Sequence, residues 1–458
     1  MTIASEMKIF NNLHLIQKDN LYCAFHIEKF ALIDLNEETF RILKDLKNGF
    51  SVSEIVEVSD VDKQELSNMV MFFSKLDQNC SNFTKSLNYS FHNINRITVH
   101  VANDCNLRCS YCYASGGSYK LRREMMSLKT AELFVDFCEN NFNNVNNIVF
   151  FGGEPFLNCD VIEYICKEFK DRYFKGRIKY LPSFNAITNG TIISKRVFDI
   201  IKKYMSYITV SIDGPKIVND VNRKNIFGEG TYEQIAKFIS KCKSIEGLSI
   251  SYEATFTKAH LALGYTHNKI KEFMEKCFDL KGVIVDDMFS LENLADNNTY
   301  SEKSVITGEK VYPEIFWNVL RTLVKKTPNV MCPLCREIFA VSTEGDIYPC
   351  HINTGDKHSS VGNIGSDNIF NNNTHFTQLQ KGLARPFKDN ENCRSCWARN
   401  ICGGCSRLFF FNETLKEYAI YPKDSLCEIN RTRIEKALLK ILEVRKDKRL
   451  WGELVGKA

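Results

Sequence analysis

The chain has 458 residues, of which 44% are hydrophobic and 25% charged, and its formal net charge is +5. These values are ordinary for a folded protein of about three domains, and the net charge is too small to indicate a nucleic-acid-binding surface. No apolar run approaches the length of a membrane span, and residues 1–10 lack the basic and apolar pattern of an export signal, so we expect a cytoplasmic protein. In a large chain without such a signal, 18 cysteines are typical of metal-binding thiolates rather than of disulfides.

The N-terminal segment predicts a small domain of three strands followed by three helices. Residues 8–18 and 20–34 alternate between apolar and polar side chains as strands do, and Asn36 opens a helix with apolar residues at helical spacing. Two more helices are predicted at 51–56 and 63–76. The pattern is that of a winged-helix-like unit, which by itself could be a structural cap.

Strand-like and helix-like segments alternate from Ile97 onward. This alternation predicts a parallel sheet with helices outside it, here a partial six-stranded (β/α) barrel, an α/β fold. In such barrels the reactive groups lie at the C-terminal ends of the strands. Helices are predicted between the strands, for example over 128–140 and 161–174. The predicted strands span residues 97–102, 147–151, 179–187, 207–212, 249–256 and 282–286.

Cys105, Cys109 and Cys112 follow the first of these strands at the spacing C-x3-C-x2-C. Three thiolates in one loop can hold three irons of a [4Fe–4S] cluster and leave the fourth iron open to a small molecule. In a chain with this cysteine content, about 0.03 such patterns are expected by chance. Zinc is the alternative occupant, although it prefers closed sites with four ligands.

A second group of eight cysteines lies near the C-terminus. Eight thiolates suffice for two [4Fe–4S] clusters, but two C-x2-C pairs among them also suit zinc knuckles. These cysteines are Cys332, Cys335, Cys350, Cys393, Cys396, Cys402, Cys405 and Cys427. Seven isolated cysteines are expected to be small buried residues, namely Cys23, Cys80, Cys138, Cys159, Cys166, Cys242 and Cys277. A basic amphipathic helix is predicted at 431–446.

The loop 105–112 resembles the signature of the radical S-adenosylmethionine (SAM) superfamily, in which an aromatic residue, here Tyr111, precedes the last cysteine. In that family the open iron binds SAM, and an electron from the cluster cleaves SAM into methionine and a 5′-deoxyadenosyl radical that abstracts hydrogen. Family-like motifs follow at three later strand ends and at an arginine. The resemblance implies contacts to the SAM amino group at the first strand end, to ribose hydroxyls at the next two, and to the carboxylate at the arginine. The implied SAM-binding residues are Tyr111, Gly152, Gly153, Glu154, Asn189, Ser211, Asp213 and Arg223.

The C-terminal cysteines resemble the SPASM domain, an extension that binds two auxiliary [4Fe–4S] clusters, so that the chain would hold three clusters. The resemblance implies a first auxiliary cluster on Cys332, Cys335, Cys350 and Cys405, and a second on Cys393, Cys396, Cys402 and Cys427. The spacing from Cys402 to Cys405 is one residue shorter than is usual in that domain. The implied domains are 1–92 for peptide recognition, 93–310 for the radical SAM barrel, 311–430 for SPASM and 431–458 for a C-terminal helix, with a polar linker near 82–93.

SPASM enzymes mostly modify peptides or proteins, and the segment Tyr348-Pro349-Cys350-His351 resembles maturases of sactipeptides and ranthipeptides. Those enzymes join a cysteine sulfur to a carbon within a ribosomally made precursor peptide, a RiPP. The resemblance suggests His351 as a catalytic residue that helps deprotonate the donor thiol. Sulfatase maturases, which oxidise a cysteine or serine to formylglycine, carry an aspartate at the position of His351.

Related peptide maturases often carry an N-terminal domain of the predicted pattern, which captures the leader of the precursor as an added strand. The resemblance also implies a flavodoxin or ferredoxin as electron donor. Three alternatives to thioether formation remain open: a carbon–carbon cross-linking maturase, an anaerobic sulfatase maturase, and a non-catalytic zinc-binding scaffold.

Overall fold

The computed structural model describes residues 10–58, 62–78, 93–286, 313–326, 337–356, 358–366, 391–402, 409–412, 417–420 and 424–456. No helix within these ranges is long and apolar enough to cross a membrane.

The N-terminal segment contains the predicted three strands and three helices. A three-stranded antiparallel sheet has the order β1-β2-β3, and Asp19, with a φ of +51°, lies in the turn between the first two strands. The side chain of Asn36 accepts a hydrogen bond from the amide of Thr39 and so caps the first helix. The winged-helix assignment stays a prediction, and residues 79–92 of the predicted linker lie outside the described residues. The elements are β1 (Leu13–Lys18), β2 (Leu21–His26), β3 (Ala31–Leu35), α1 (Glu37–Lys47), α2 (Val52–Val58) and α3 (Lys63–Gln78).

The central sheet contains the six predicted parallel strands, which neighbour one another in chain order. They are β4 (Asn93–Ala102), β5 (Asn144–Gly152), β6 (Ser183–Thr188), β7 (Met205–Ser211), β8 (Ser249–Phe256) and β9 (Gly282–Asp286). The helices between them are α4 (Leu128–Asn141), α5 (Cys159–Phe174), α6 (Lys195–Tyr204), α7 (Lys216–Asn222), α8 (Tyr232–Lys243), α9 (Lys258–Ala262) and α10 (His267–Phe278). The alternation in the sequence therefore gave the correct α/β architecture.

The C-terminal region extends this sheet beyond the six predicted strands. Strand β10 pairs in parallel with β4, and β11 and β12 add in antiparallel orientation, giving nine strands in all. Strand β10 covers the edge of β4 by main-chain pairing, and all four of its residues are buried. The remaining elements are α11 (Pro313–Lys325), β10 (Ile338–Val341), β11 (Asp346–Tyr348), β12 (Gly362–Asn363), α12 (Glu391–Ser395), β13 (Phe409–Asn412), β14 (Glu417–Ile420), α13 (Asp424–Lys446) and α14 (Lys448–Val455).

Helix α13 begins at residue 424, seven residues before the start predicted from the sequence, and it therefore includes Cys427. Its apolar positions Ile434, Leu438 and Leu442 are buried as expected. The domain limits given above stay predictions, although this one helix runs across the expected boundary at 430.

The N-terminal sheet is buried on both faces because side chains alternate along each strand. Leu13 and Ala24 lie on the face that packs against α1, α2 and α3. Ile16, Cys23 and Phe25 lie on the opposite face, in a second apolar cluster with α11 and α13. The sheet thus connects its own helices to the C-terminal region.

Four of the seven isolated cysteines are buried as expected, namely Cys23, Cys138, Cys166 and Cys242. Cys159 is half-buried, and Cys80 lies outside the described residues. The expectation was wrong for Cys277, which is exposed near the end of α10. It lies on the outer face of that helix, whereas Met274 faces the core.

Candidate functional site

The cysteine loop follows β4 and is fastened to the segment after α7. The amide of Arg108 donates to the carbonyl of Lys224 at 2.7 Å, and the amide of Ser110 donates to the carbonyl of Asn222 at 3.0 Å. Within the loop, the amide of Cys112 donates to the carbonyl of Cys109. The C-terminal ends of the first and fourth parallel strands are therefore connected through this loop.

The three thiols of the loop lie close enough to influence one another. Burial raises the pKa of Cys105 to about 12, with smaller contributions from Glu154 and Cys109. Burial also raises the pKa of Cys109, and the neighbouring Cys112 adds to that effect. Bound iron favours the deprotonated thiol, so a cluster would offset the effect of burial on the pKa of Cys105 and Cys109.

Two of these sulfurs accept hydrogen bonds from nitrogen donors. The amide of Leu107 and the Nδ2 of Asn189 lie 3.3 and 3.6 Å from the Sγ of Cys105, and the amide of Gly116 lies 3.3 Å from the Sγ of Cys112. Such donors tune iron–sulfur clusters. Among the described residues, no three His, Cys, Asp or Glu side chains surround a single metal-ion position. A cubane cluster places each thiolate on a different iron.

Glycines allow the segment after β5 to lie directly against the cysteine loop. A Cβ on Gly153 would overlap the carbonyl oxygen of Asp104, and a Cβ on Gly117 would lie 2.6 Å from the Cα of Gly153 and 2.9 Å from the Cβ of Cys105. Gly152 has a φ of +137°, which side chains rarely tolerate. The backbone of this segment thus lies beside the first cysteine of the loop.

Glu154 is fully buried, and both of its carboxylate oxygens are occupied within the protein. They accept from the hydroxyl of Thr188 at 2.8 Å, the amide of Asn189 at 2.7 Å and the amide of Phe156 at 3.1 Å. Burial raises the pKa of Glu154 to about 7, and the hydrogen bonds oppose that rise. Glu154 therefore holds the ends of β5 and β6 together, and its contact with the SAM amino group stays a prediction.

Asn189 connects the end of β6 to the cysteine loop. Its Nδ2 donates to the side chain of Asn106 at 2.8 Å, in addition to its contact with Cys105. Ser211 is half-buried at the end of β7, in register with Glu253 of β8. Both Asn189 and Ser211 lie at the C-terminal edge of the sheet, on the side where the cysteine loop lies.

Asp213, Tyr111 and Arg223 form one buried polar group beside the loop. The Tyr111 hydroxyl lies 3.0 and 2.9 Å from the two carboxylate oxygens of Asp213, and the Arg223 guanidinium donates to the Tyr111 oxygen. Arg223 is also 3.9 Å from the Asp213 carboxylate. Burial raises the pKa of Asp213, and the charge of Arg223 opposes the rise. The main-chain carbonyl of Asp213 accepts from Nε2 of His260 at 2.8 Å.

The Nε of Arg223 is buried and has no hydrogen-bond partner. A buried N–H without an acceptor is costly, so the group is suited to an anion that the protein itself does not supply. A carboxylate fits the planar guanidinium. The residues present therefore fit the carboxylate of SAM at Arg223.

Four C-terminal cysteines also lie close enough together for their thiols to influence one another. The pKa of Cys393 is raised to about 11, first by burial and then by the neighbouring Cys427, Cys396 and Cys402. These four are the residues that the resemblance assigned to the second auxiliary cluster. Of the first auxiliary set only Cys350 is described, and Cys332, Cys335 and Cys405 lie outside the described residues.

His351 lies beside Cys350 and faces the first strands of the barrel. Its Nδ1 is 3.4 Å from the Sγ of Cys350, and its ring is 5.0 Å from that of Phe151. His100 of β4 lies nearby, fully buried, with its Nε2 3.1 Å from the hydroxyl of Thr354. Burial, and secondly the charge of His351, lowers the pKa of His100 to about 3.

Sequence reasoning missed His100, Tyr119 and His260. The hydroxyl of Tyr119 donates to the carbonyl of Gly152 at 2.9 Å, and its ring packs against His100 at 4.8 Å. The polar positions of β4 gave a usable signal for His100, since a histidine alternating with buried valines faces the other side of the sheet. No local pattern pointed to Tyr119 or His260.

Comparisons with known proteins agree with this geometry. Residues 99–277 match the Radical SAM superfamily, and residues 332–397 match SPASM, an iron–sulfur cluster-binding domain. The cysteine-type anaerobic sulfatase-maturating enzyme of Clostridium perfringens is 26% identical over 75% of this chain and 96% of its own length. The radical SAM cyclopropyl synthase TigE of Paramaledivibacter caminithermalis is 23% identical over 96% of this chain and 97% of its own.

A solved structure of anSMEcpe with bound AdoMet superposes with a TM-score of 0.59. It is 21% identical and covers 79% of this chain and 98% of its own, so the likeness concerns the fold. The family matches therefore assign residues 99–277 to the Radical SAM superfamily and residues 332–397 to the SPASM iron–sulfur cluster-binding domain.

Proposed function

We propose that this protein is a maturase that modifies a ribosomally made precursor peptide and joins the sulfur of a cysteine to a carbon of another residue. The observation that carries the SAM-dependent part is the unpaired Nε of buried Arg223 beside the cysteine loop. A peptide or protein substrate is supported by the likeness to the sulfatase-maturating enzyme of Clostridium perfringens.

Each cofactor has residues suited to hold it. Cys105, Cys109 and Cys112 would hold the SAM-binding cluster, and the two auxiliary clusters would take the C-terminal cysteines. Arg223 would bind the SAM carboxylate. Because the Asp213 carboxylate is fully buried and already accepts from Tyr111, we propose that Asp213 acts by holding Arg223 rather than by touching SAM. When bound, the SAM-binding cluster and SAM supply a 5′-deoxyadenosyl radical that removes a hydrogen atom from the substrate.

The proposed cross-link removes two hydrogens from the peptide. One leaves the acceptor carbon as a hydrogen atom and the other leaves the donor thiol as a proton. An oxidised auxiliary cluster, held by the C-terminal cysteines, would take up the remaining electron. We propose that His351 accepts the proton, which is supported by the 3.4 Å distance between its Nδ1 and the Sγ of Cys350, a proposed ligand of the first auxiliary cluster. A neutral imidazole next to the donor thiol of the peptide could act as a base.

The relatives favour two other reactions of the same class. The likeness to the sulfatase-maturating enzyme supports oxidation of a protein cysteine to an aldehyde. The likeness to the cyclopropyl synthase, which extends over nearly the whole chain, supports carbon–carbon bond formation. His351 in place of the aspartate of sulfatase maturases is the residue that favours thioether formation over the first of these.

The N-terminal sheet offers a place for the precursor. Strands β1 and β3 are its two edges. An extended leader peptide can add to such an edge through main-chain hydrogen bonds. We propose that the leader is captured there, and that a flavodoxin or ferredoxin supplies the electron.

The first experiment measures iron and sulfide per chain after anaerobic reconstitution, for the wild type and a Cys105/Cys109/Cys112→Ala variant, each then given SAM and dithionite. About twelve irons in the wild type and about eight in the variant, with 5′-deoxyadenosine only from the wild type, are expected. Zinc without iron and no 5′-deoxyadenosine would refute the enzyme and leave a zinc-binding scaffold.

The second experiment identifies the bond by mass spectrometry of a cysteine-containing precursor peptide encoded beside the gene. A thioether removes two hydrogens and leaves the cysteine resistant to alkylation. A carbon–carbon bond removes two hydrogens and leaves the cysteine alkylatable. An aldehyde that reacts with hydrazine would instead indicate formylglycine and contradict the thioether proposal.

A further inference from the structure

The loop between Cys396 and Cys402 is held by the N-terminal sheet. The ring of Trp397 stacks on the ring of His14 in β1, with centroids 3.7 Å apart and planes 2° from parallel. Phe25 of β2, the cross-strand partner of His14, meets the same indole edge-on at 6.5 Å. Two neighbouring strands thus contact one residue of the loop between Cys396 and Cys402.

Polar contacts add to this stacking. The guanidinium of Arg399 donates to the carboxylate of Glu28 at 2.5 and 3.2 Å and to the side chain of Asn12 at 3.2 Å. The Nδ2 of Asn400 donates to the carbonyl of Ile27 at 3.1 Å. Three residues of the loop therefore contact one end of the sheet: Trp397 through its ring, and Arg399 and Asn400 through hydrogen bonds.

His14 also reaches the helix that carries the fourth cysteine. Its Nε2 lies 2.8 Å from Oε1 of Glu435 in α13, and Glu435 follows Cys427 by about two helical turns. The side chain of His14 is 17% exposed. His14 thus contacts both the loop between Cys396 and Cys402 and the helix that carries Cys427.

We propose that His14 is a positioning residue for the second auxiliary cluster, and that the N-terminal domain forms one wall of that cluster's site. A cluster needs four thiolates in a fixed arrangement, and the stacked Trp397 and the bonded Glu435 hold the loop and the helix in register before iron binds. This inference rests on the proposed assignment of a cluster to Cys393, Cys396, Cys402 and Cys427. It makes the N-terminal domain part of the redox site rather than only a separable peptide-binding module.

The test compares full-length His14→Ala with Asn36→Ala after anaerobic reconstitution. Asn36 caps α1 within the same domain, and its replacement weakens that helix without removing a contact to the loop between Cys396 and Cys402. His14→Ala is expected to lose about four of about twelve irons and the electron paramagnetic resonance signal of one auxiliary cluster, while Asn36→Ala keeps both. His14→Phe retains a flat ring over Trp397 and is expected to keep more iron than His14→Ala.

Two outcomes overturn the proposal. One is a His14→Ala protein with the iron content and auxiliary-cluster spectrum of the wild type, and the other is equal iron loss in Asn36→Ala. A variant with alanine at all four cysteines separates this failure from that of the cluster assignment. If the four-cysteine variant retains the full iron content, the assignment of a cluster to these cysteines is wrong. If it loses about four irons, the assignment stands, and the comparison of His14→Ala with Asn36→Ala then tests the role of His14 alone.

Discussion

Replacing Asp213 with asparagine is expected to lower the free energy of unfolding sharply, because it removes the carboxylate that is paired with the buried charge of Arg223. The two side chains are 3.9 Å apart, and neither is appreciably exposed. At an effective dielectric constant of about 20, two charges at that separation attract by about 4 kcal/mol. Removing one member of a buried ion pair typically costs about 3–5 kcal/mol, which agrees with that value.

The loss is measured by anaerobic urea denaturation of the reconstituted enzyme, followed by far-ultraviolet circular dichroism. Asp220→Asn is the matched control, because the Asp220 carboxylate accepts from the amides of Thr231 and Tyr232 and is 23% exposed. Its loss should cost only about 1 kcal/mol, the usual effect of a helix cap. If Asp213→Asn costs no more than the control, Asp213 does not compensate Arg223, and the proposed role of Asp213 is refuted.

Three further substitutions test the site. Gly153→Ala should abolish SAM cleavage, because the added Cβ would overlap main-chain atoms of the loop that carries Cys105. Gly452→Ala is the control: open space surrounds Gly452, so its replacement should leave SAM cleavage unchanged and be neutral or slightly stabilising. The two variants are compared by 5′-deoxyadenosine formation. Arg223→Lys should weaken SAM binding about tenfold or more, measured by equilibrium dialysis. Arg196→Lys on the surface should leave SAM binding unchanged, and equal SAM affinities of the two variants would contradict the contact between Arg223 and the SAM carboxylate. Burial lowers the pKa of His100 to about 3, so as the pH falls below 6.5 the unfolded chain takes up a proton that the folded protein does not. The free energy of unfolding should therefore drop by about 2 kcal/mol between pH 6.5 and 5. In urea denaturation, His100→Gln should remove that part of the drop, and an unchanged dependence of the free energy of unfolding on pH would contradict the prediction.

The order of strands and helices could be predicted from the sequence because hydrophobic periodicity is a local property. The alternation from β4 to β9 and the capping residue Asn36 are each readable within a few residues. The spacing of Cys105, Cys109 and Cys112 and the glycines after β5 likewise indicated the candidate site, since both are short motifs. These local patterns could not show which other residues each side chain contacts.

Only the tertiary structure decided those partners, because they come from distant parts of the chain. The contact of Tyr111 with Arg223 and that of His14 with Trp397 join residues more than a hundred positions apart, and no periodicity records either. The addition of β10 to the edge of β4 and the exposure of Cys277 were missed for the same reason. The sequence by itself determined which elements form and which chemistry the cysteines offer, whereas packing decided which buried charges, rings and thiols face one another.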